Sequence, residues 1–207
     1  MDQQIKKTKT EAAHAKGYVL FDYGTNSGVF VMHSIPTYGV KNIGSLPGNA
    51  IPNSQNIMCV TIDQEALHVI AQYIHIIKPA LWSKKFPDSV TDDYLIKIQN
   101  GEFPKKNEDK KALQFKSLGG FEFTLFVKNT QTQVWDQLVG AYPANSFYVI
   151  NWNGNINTER LQQVVHTKAS YDNYEQEWDA SSDHAKIAIT RNGKSIVCVS
   201  DLNLAVR

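Results

Sequence analysis

Two cysteines, Cys59 and Cys198, are all that the 207 residues contain. That is too few for a disulfide framework in a chain this long. The sequence therefore reads as carrying two reduced core thiols, with a single long-range bridge between them as the alternative. No apolar run reaches the roughly 18 residues of a spanning helix. The opening MDQQIKKTKTEAAHAKG lacks the apolar core of a signal peptide. No Asn-x-Ser/Thr acceptor occurs, so nothing marks passage through a eukaryotic secretory route. Charge of one sign is missing as well. The formal net charge is +1, which leaves no global basic field for a polyanion. A local patch can still do that work, and six histidines would each add a positive charge in acid. There is no P-loop, no Gly-x-Ser-x-Gly elbow and no zinc signature. His68 and His75, seven residues apart on a predicted helix, stand about 10 Å apart along its axis. That is too far to share a metal, and both are expected on a solvated face.

What the chain does have is one unit written twice. Residues 14 to 34 read HAKGYVLFDYGTNSGVFVMHS and residues 184 to 204 read HAKIAITRNGKSIVCVSDLNL. Each has His-Ala-Lys, an apolar run, a glycine-containing turn, a second apolar run and a polar cluster, which predicts a hairpin. Between them, residues 34 to 56 read as a long Pro/Gly/Asn/Ser loop, and Ile57 to Ile62 as a buried strand. Asp63 caps a helix with Leu67, Ile70, Ile74 and Ile77 inward, stopped by Pro79. Residues 82 to 118 read as irregular and lysine-rich, mainly a solvated loop although able to touch a phosphate backbone. Phe121 to Val127 alternates as a strand, Gln131 to Tyr142 reads as a helix, and Ser146 to Trp152 as a strand. The polar segment 153 to 182 leads into the second copy. Alternating strands and helices predict an α/β fold, a single domain spanning residues 1–207.

In an extended chain residues i and i+2 point the same way, so the His and Lys of each His-Ala-Lys project together. One pair offers an imidazole and an ammonium to a phosphate. Two pairs offer two imidazoles, one to attack phosphorus and one to protonate the leaving oxygen. The lysines would neutralise the non-bridging oxygens. Two interacting imidazoles titrate together, so activity is expected over a limited, acidic pH range. His-x-Lys alone is weak evidence, because His166-Thr167-Lys168 repeats it without an apolar strand pair and reads as surface loop. The true copies also carry polar returns, His33 in one and Asp201 with Asn203 in the other. Plainer readings stand beside these: a flexible N-terminal His14, a satisfied strand-end His33, and strand-boundary roles for His184, Lys186, Asp201 and Asn203.

These residues carry a resemblance. Ala13-His14-Ala15-Lys16-Gly17 with His33-Ser34-Ile35-Pro36, and Asp183-His184-Ala185-Lys186 with Cys198-Val199-Ser200-Asp201-Leu202-Asn203, resemble the deoxyribonuclease II family of the phospholipase D superfamily. Met58-Cys59-Val60, Phe86-Pro87-Asp88 and the strand–helix–strand from Phe121 to Trp152 are also similar, so the likeness covers nearly the whole chain. It implies a phospholipase D-like fold with mixed sheets flanked by helices, its two halves pseudo-symmetric about hairpins 14–34 and 184–204. It implies an endonuclease that cuts DNA in acid without a metal or other cofactor and leaves 3′-phosphate ends. His14 would be the nucleophile forming a phosphohistidine and His184 the general acid, or the reverse. Lys16 and Lys186 would hold phosphate, with His33, Asn203 and Asp201 in support. Family members carry a much longer stretch before the first His-x-Lys than the thirteen residues here, and a further cysteine-containing segment at the end. Three expectations stand for the strands this leaves out of the N-terminal half: a second chain or homo-oligomer supplies them, a minimal version dispenses with them, or a degenerate one has lost them. No membrane association is expected. The near-absence of the disulfides that this family carries fits a bacterial cytoplasmic protein, or one exported without a classical signal, and the sequence assigns no compartment. Two rival functions remain: an inactive phosphate- or nucleic-acid-binding module of this fold, and a phosphodiesterase of the same superfamily acting on lipid.

Overall fold

The structure is a computed structural model that describes residues 13–36, 46–48, 50–104, 112–127, 134–151, 156 and 158–201. The chain separates into two compact units. One comprises residues 1–14, 18–30 and 59–132; the other comprises 15–17, 31–58 and 133–207.

The first repeat forms a hairpin of β1 (Gly17–Asp22) and β2 (Ser27–His33), with β3 (Ile57–Ile62) on the far side of β2. Asp22 shapes the turn by accepting from the Gly24 N–H and the Thr25 hydroxyl, both at 2.9 Å. Asn26 takes the left-handed conformation, φ 49°, that Asn tolerates better than most residues. Helix α1 (Gln64–Ile77) follows as expected. The Asp63 side chain accepts from Ala66 N–H at 2.8 Å, and Leu67, Ile70, Ala71 and Ile77 are buried. Lys78, φ 49°, closes it with its N–H bonded to the Ile74 carbonyl.

The stretch 82 to 118 departs from expectation: it holds α2 (Asp93–Asn100) and β4 (Ala112–Lys116). Asp92 caps α2 by accepting from Tyr94 and Leu95 N–H, and Gly101, φ 75°, ends it. Lys84 donates to the Ile98 and Gln99 carbonyls at that C-terminus, where a cation suits the helix dipole. One of the lysines read as candidate phosphate contacts is thus occupied structurally. Lys105, Lys106, Lys110 and Lys111 lie outside the described residues. Strand β5 (Glu122–Phe126) pairs antiparallel with β4, Phe115 stacking on Phe123 at 5.1 Å between ring centroids.

In the second unit, α3 (Val134–Ala141) buries Val134, Trp135 and Leu138, and the Trp135 indole donates to Asn151 Oδ1 at 3.3 Å. Strand β6 (Ser146–Ile150) sits inside a four-stranded sheet ordered β11–β10–β6–β7, formed with β7 (Leu161–Gln163), β10 (Lys186–Asn192) and β11 (Val197–Ser200). The sheet is mixed: β10 runs antiparallel to β6 and β11, while β6 and β7 are parallel. Phe147, Val149 and Ala188 are wholly buried in it. The segment read as merely polar supplies β7 and a separate hairpin of β8 (His166–Tyr171) and β9 (Tyr174–Asp179). The fold is α/β, with mixed sheets and few helices, and no described helix is long and apolar enough to cross a membrane.

Two further expectations change. His75 is buried, not solvated, packed against Tyr94 and stacked on Phe103, while His68 is exposed and bonds to Asp92 Oδ2 at 2.5 Å. Cys59 is an exposed free thiol on β3, so it is no core residue; Cys198 is also free, its thiol pushed up to about 12 by burial.

Candidate active site

Each repeat hairpin begins with a lysine and returns to it. Lys16 immediately precedes β1, and its carbonyl accepts the N–H of His33, the last residue of β2, at 3.1 Å. Lys186 opens β10 directly opposite Ser200, the last residue of β11. The second return then crosses to the first lysine, since Asp201 pairs with Lys16 Nζ at 2.9 Å. The polar return of one hairpin thereby seats the cation of the other.

The second unit gathers six titratable groups in this way: Lys16, His33, Asp183, His184, Lys186 and Asp201. Lys186 is only 2% exposed, an unusual position for an ammonium, and Nζ donates to the His184 carbonyl at 2.8 Å. Burial pulls its pKa down to about 8; Asp201 and Asp183 resist that fall and Lys16 adds to it. Burial likewise pushes the Asp201 carboxyl up to about 6, against the pull of Lys16 and Lys186. The His184 imidazole is held below its ordinary value by burial, then by Lys186 and Lys16, with Asp183 opposing. His33 is lowered by burial and by Lys16, against a backbone hydrogen bond at Ile35. The result is a pair of imidazoles kept neutral near pH 7 beside two ammoniums. Such a set can accept a proton, return one in acid, and neutralise an anion. Among the described residues no group of three or more His, Cys, Asp or Glu could hold a metal ion.

The structure thus brings together Lys16, His33, His184, Lys186 and Asp201. His14 is exposed and belongs to the first unit. Asn203 lies outside the described residues. His166-Thr167-Lys168 opens a strand, not a loop, but it is exposed and faces acids: His166 meets Asp179 and Glu177, and Lys168 meets Glu175 at 2.8 Å. Those acids raise the His166 pKa. Sequence reasoning missed Asp183, although it stands inside the second motif next to His184. It is 1% exposed and accepts the Ala185 N–H at 3.0 Å. Ser34 and the loop residues Ser54 to Asn56, which bond to both hairpins, also gave no signal beyond the Ser of His33-Ser34-Ile35-Pro36.

The sequence pattern of the family described as Deoxyribonuclease II matches residues 1–206. The chain belongs to the deoxyribonuclease II family. Among its relatives, cell death-related nuclease 6 of Caenorhabditis elegans is 26% identical over 212 residues, covering 93% of this chain and 56% of that protein. Deoxyribonuclease-2 of the same animal is 25% identical over 205 residues, 95% of this chain and 54% of the relative. A putative deoxyribonuclease-2 of Burkholderia thailandensis is 29% identical over 212 residues, 93% and 57% respectively. The chain spans about half the length of these relatives. The match to the deoxyribonuclease II family runs through both His-Ala-Lys copies and through the residues that join them.

Proposed function

We propose that this chain carries the phosphodiesterase centre of a metal-independent acid endodeoxyribonuclease, with DNA as its substrate. The observation that carries the reading is the convergence of Lys16 from the first repeat with His184, Lys186 and Asp201 from the second. The relatives named as deoxyribonucleases support the choice of substrate. In the reading, residues 1–207 act as one phospholipase D-like domain whose hairpins 14–34 and 184–204 are pseudo-symmetric.

A ring nitrogen of His14 attacks phosphorus, forming a P–N bond as the bond to the 5′ oxygen breaks. Protonated His184 gives its proton to that departing oxygen. Lys16 and Lys186 meet the charge that builds on the non-bridging oxygens. Neutral His184 then takes a proton from water, whose oxygen attacks phosphorus, breaks the P–N bond and leaves a 3′-phosphate. The depressed pKa of His184 places its acid form in acid solution, so cleavage rises as pH falls through that value.

Plasmid DNA incubated at about pH 5, where a depressed imidazole can protonate, with EDTA present, tests the proposal. Wild type is expected to nick and linearise the plasmid, and His14→Ala and His184→Ala to lose at least roughly a thousandfold in rate. Cleavage abolished by EDTA overturns metal independence. Cleavage retained in both variants overturns the assigned residues.

A further inference from the structure

The long loop before β3 is tied to both repeats over three consecutive residues. At one end, the Ser54 carbonyl accepts the His184 N–H at 3.0 Å and the Ser54 N–H donates to the Ser182 carbonyl at 3.0 Å, a parallel bridge opposite Asp183. At the other end, the Asn56 carbonyl accepts the Ser34 N–H at 3.0 Å and the Asn56 N–H donates to Ser34 Oγ at 3.0 Å. The Ser34 hydroxyl donates in turn to Gln55 Oε1 at 2.6 Å. Ser34 is 2% exposed and directly follows His33.

Two peptide steps separate Ser54 from Asn56, and an extended chain advances at most about 3.6 Å per residue. The backbones at Ser34 and His184 are therefore joined by a strap that can span at most about 7 Å. Asn56 is only 8% exposed, so this end of the strap lies in the interior beside Ser34.

We propose that Ser34, through the strap Ser54–Asn56, is a positioning residue that fixes His33 of the first hairpin against His184 of the second. The charged groups around that pair are Lys16, Lys186, Asp183 and Asp201. The inference rests on the phosphodiesterase reading for its catalytic consequence, but not for its structural one. Removing the Ser34 hydroxyl deletes both an acceptor for Asn56 and a donor to Gln55. The strap then loosens at the first hairpin and the effect reaches His184, to which Ser34 is not bonded.

The test reads the imidazole titrations of His33 and His184 by NMR in wild type, Ser34→Ala, Ser34→Thr and Gln55→Met, alongside kcat and KM on DNA. Ser34→Ala is expected to move the titration midpoint of His184 as well as His33. Its kcat should fall roughly tenfold or more at little change in KM, with the pH profile displaced. Ser34→Thr restores the hydroxyl and is expected to recover wild-type titrations. Gln55→Met replaces the whole amide at a half-buried site, and with it the acceptor for Ser34, while leaving the Ser34 hydroxyl bonded to Asn56 N–H, and is expected to give a smaller displacement in the same direction. If only His33 moves, or if losses merely follow the folded fraction from thermal unfolding, the inference fails. A wild type that leaves DNA intact while His184 still responds to Ser34→Ala overturns the phosphodiesterase reading and leaves the strap standing.

Discussion

At the scale of single residues, two buried charges set the pH response. Asp201 has its pKa raised from 3.8 to about 6, burial outweighing the attraction of Lys16 and Lys186. Between those values the folded protein holds a proton that the unfolded chain has released. That contribution to stability is complete below 3.8 and is lost as pH rises through about 6. Asp201→Asn cannot take up this proton. Its stability relative to wild type is therefore expected to worsen on acidification from neutral pH to about 4, by on the order of 2 kcal/mol. Thermal or urea unfolding at both pH values reads the difference; a gap independent of pH refutes it. Lys186 acts on its neighbour instead. Its charge is the next largest cause, after burial, of the lowered His184 pKa, while Asp183 works the other way. Lys186→Met keeps most of the volume, removes the cation and leaves Asp183 in place, so the His184 pKa should rise. The acid limb of the rate profile should then move to higher pH, while maximal cleavage falls roughly a hundredfold for want of a charge on the phosphate. A lowered rate with an unmoved limb would mean that Lys186 serves the phosphate alone.

At the scale of elements, the first hairpin depends on a close approach just beyond Lys16. A Cβ on Gly17 would lie 2.1 Å from the Val31 carbonyl oxygen, a backbone atom that cannot turn aside. Gly17→Ala is expected to prise β1 from β2 where the Lys16 carbonyl meets the His33 N–H. The strain should cost about 1–3 kcal/mol and lower activity beyond the loss in folded fraction; circular dichroism melts beside cleavage rates check it. The glycine was visible in the motif, but its reason was not, because a chain sequence does not show which strand passes within contact distance. Elements whose signals are local were legible: both hairpins, α1 between the Asp63 cap and Pro79, and β3 as a strand, though not as a buried one, since Ile57, Cys59 and Thr61 are exposed. Helix α2 was also written in the sequence, with Asp92 before it and Gly101 after it, yet its few apolar residues hid it among lysines. Hairpin β8–β9 could not be read from apolar alternation. Its cross-strand partners are ion pairs, His166 with Asp179 and Lys168 with Glu175 and Glu177. His75 was misread for the opposite reason, since its burial depends on Tyr94 and Phe103 arriving from later in the chain.

At the scale of the whole molecule, sequence spacing set a polar return at the close of each predicted hairpin, His33 for Lys16 and Asp201 for Lys186. It was not enough to reveal the exchange between hairpins, Asp201 with Lys16, which is a property of the folded second unit. Nor did the net charge of +1 announce a polyanion partner. If DNA is the substrate, as proposed, the attraction would come from a few focused cations, together with histidines that charge as pH falls. These do not titrate alike. His166, exposed and flanked by acids, holds its proton to higher pH than usual, whereas His33 and His184 release theirs early. Protonation of His166 first offsets Asp179 and Glu177, so it adds little to a DNA-facing field. Charge gained at His33 and His184 adds directly beside Lys16 and Lys186, as does the negative charge lost when Asp201 takes up its proton near pH 6. The His14→Ala variant, expected not to cleave, keeps all of those residues and is therefore expected to bind duplex DNA weakly at neutral pH. Binding should tighten at least roughly tenfold at about pH 5, with a steeper dependence on salt as more phosphates are neutralised. His33→Ala combined with His14→Ala should reduce the pH dependence, His184 and Asp201 still titrating, whereas His166→Ala combined with His14→Ala should leave it nearly unchanged. Fluorescence anisotropy across a salt series at the two pH values measures both. Equal flattening by the two double variants would assign the acid dependence to total charge and not to the site.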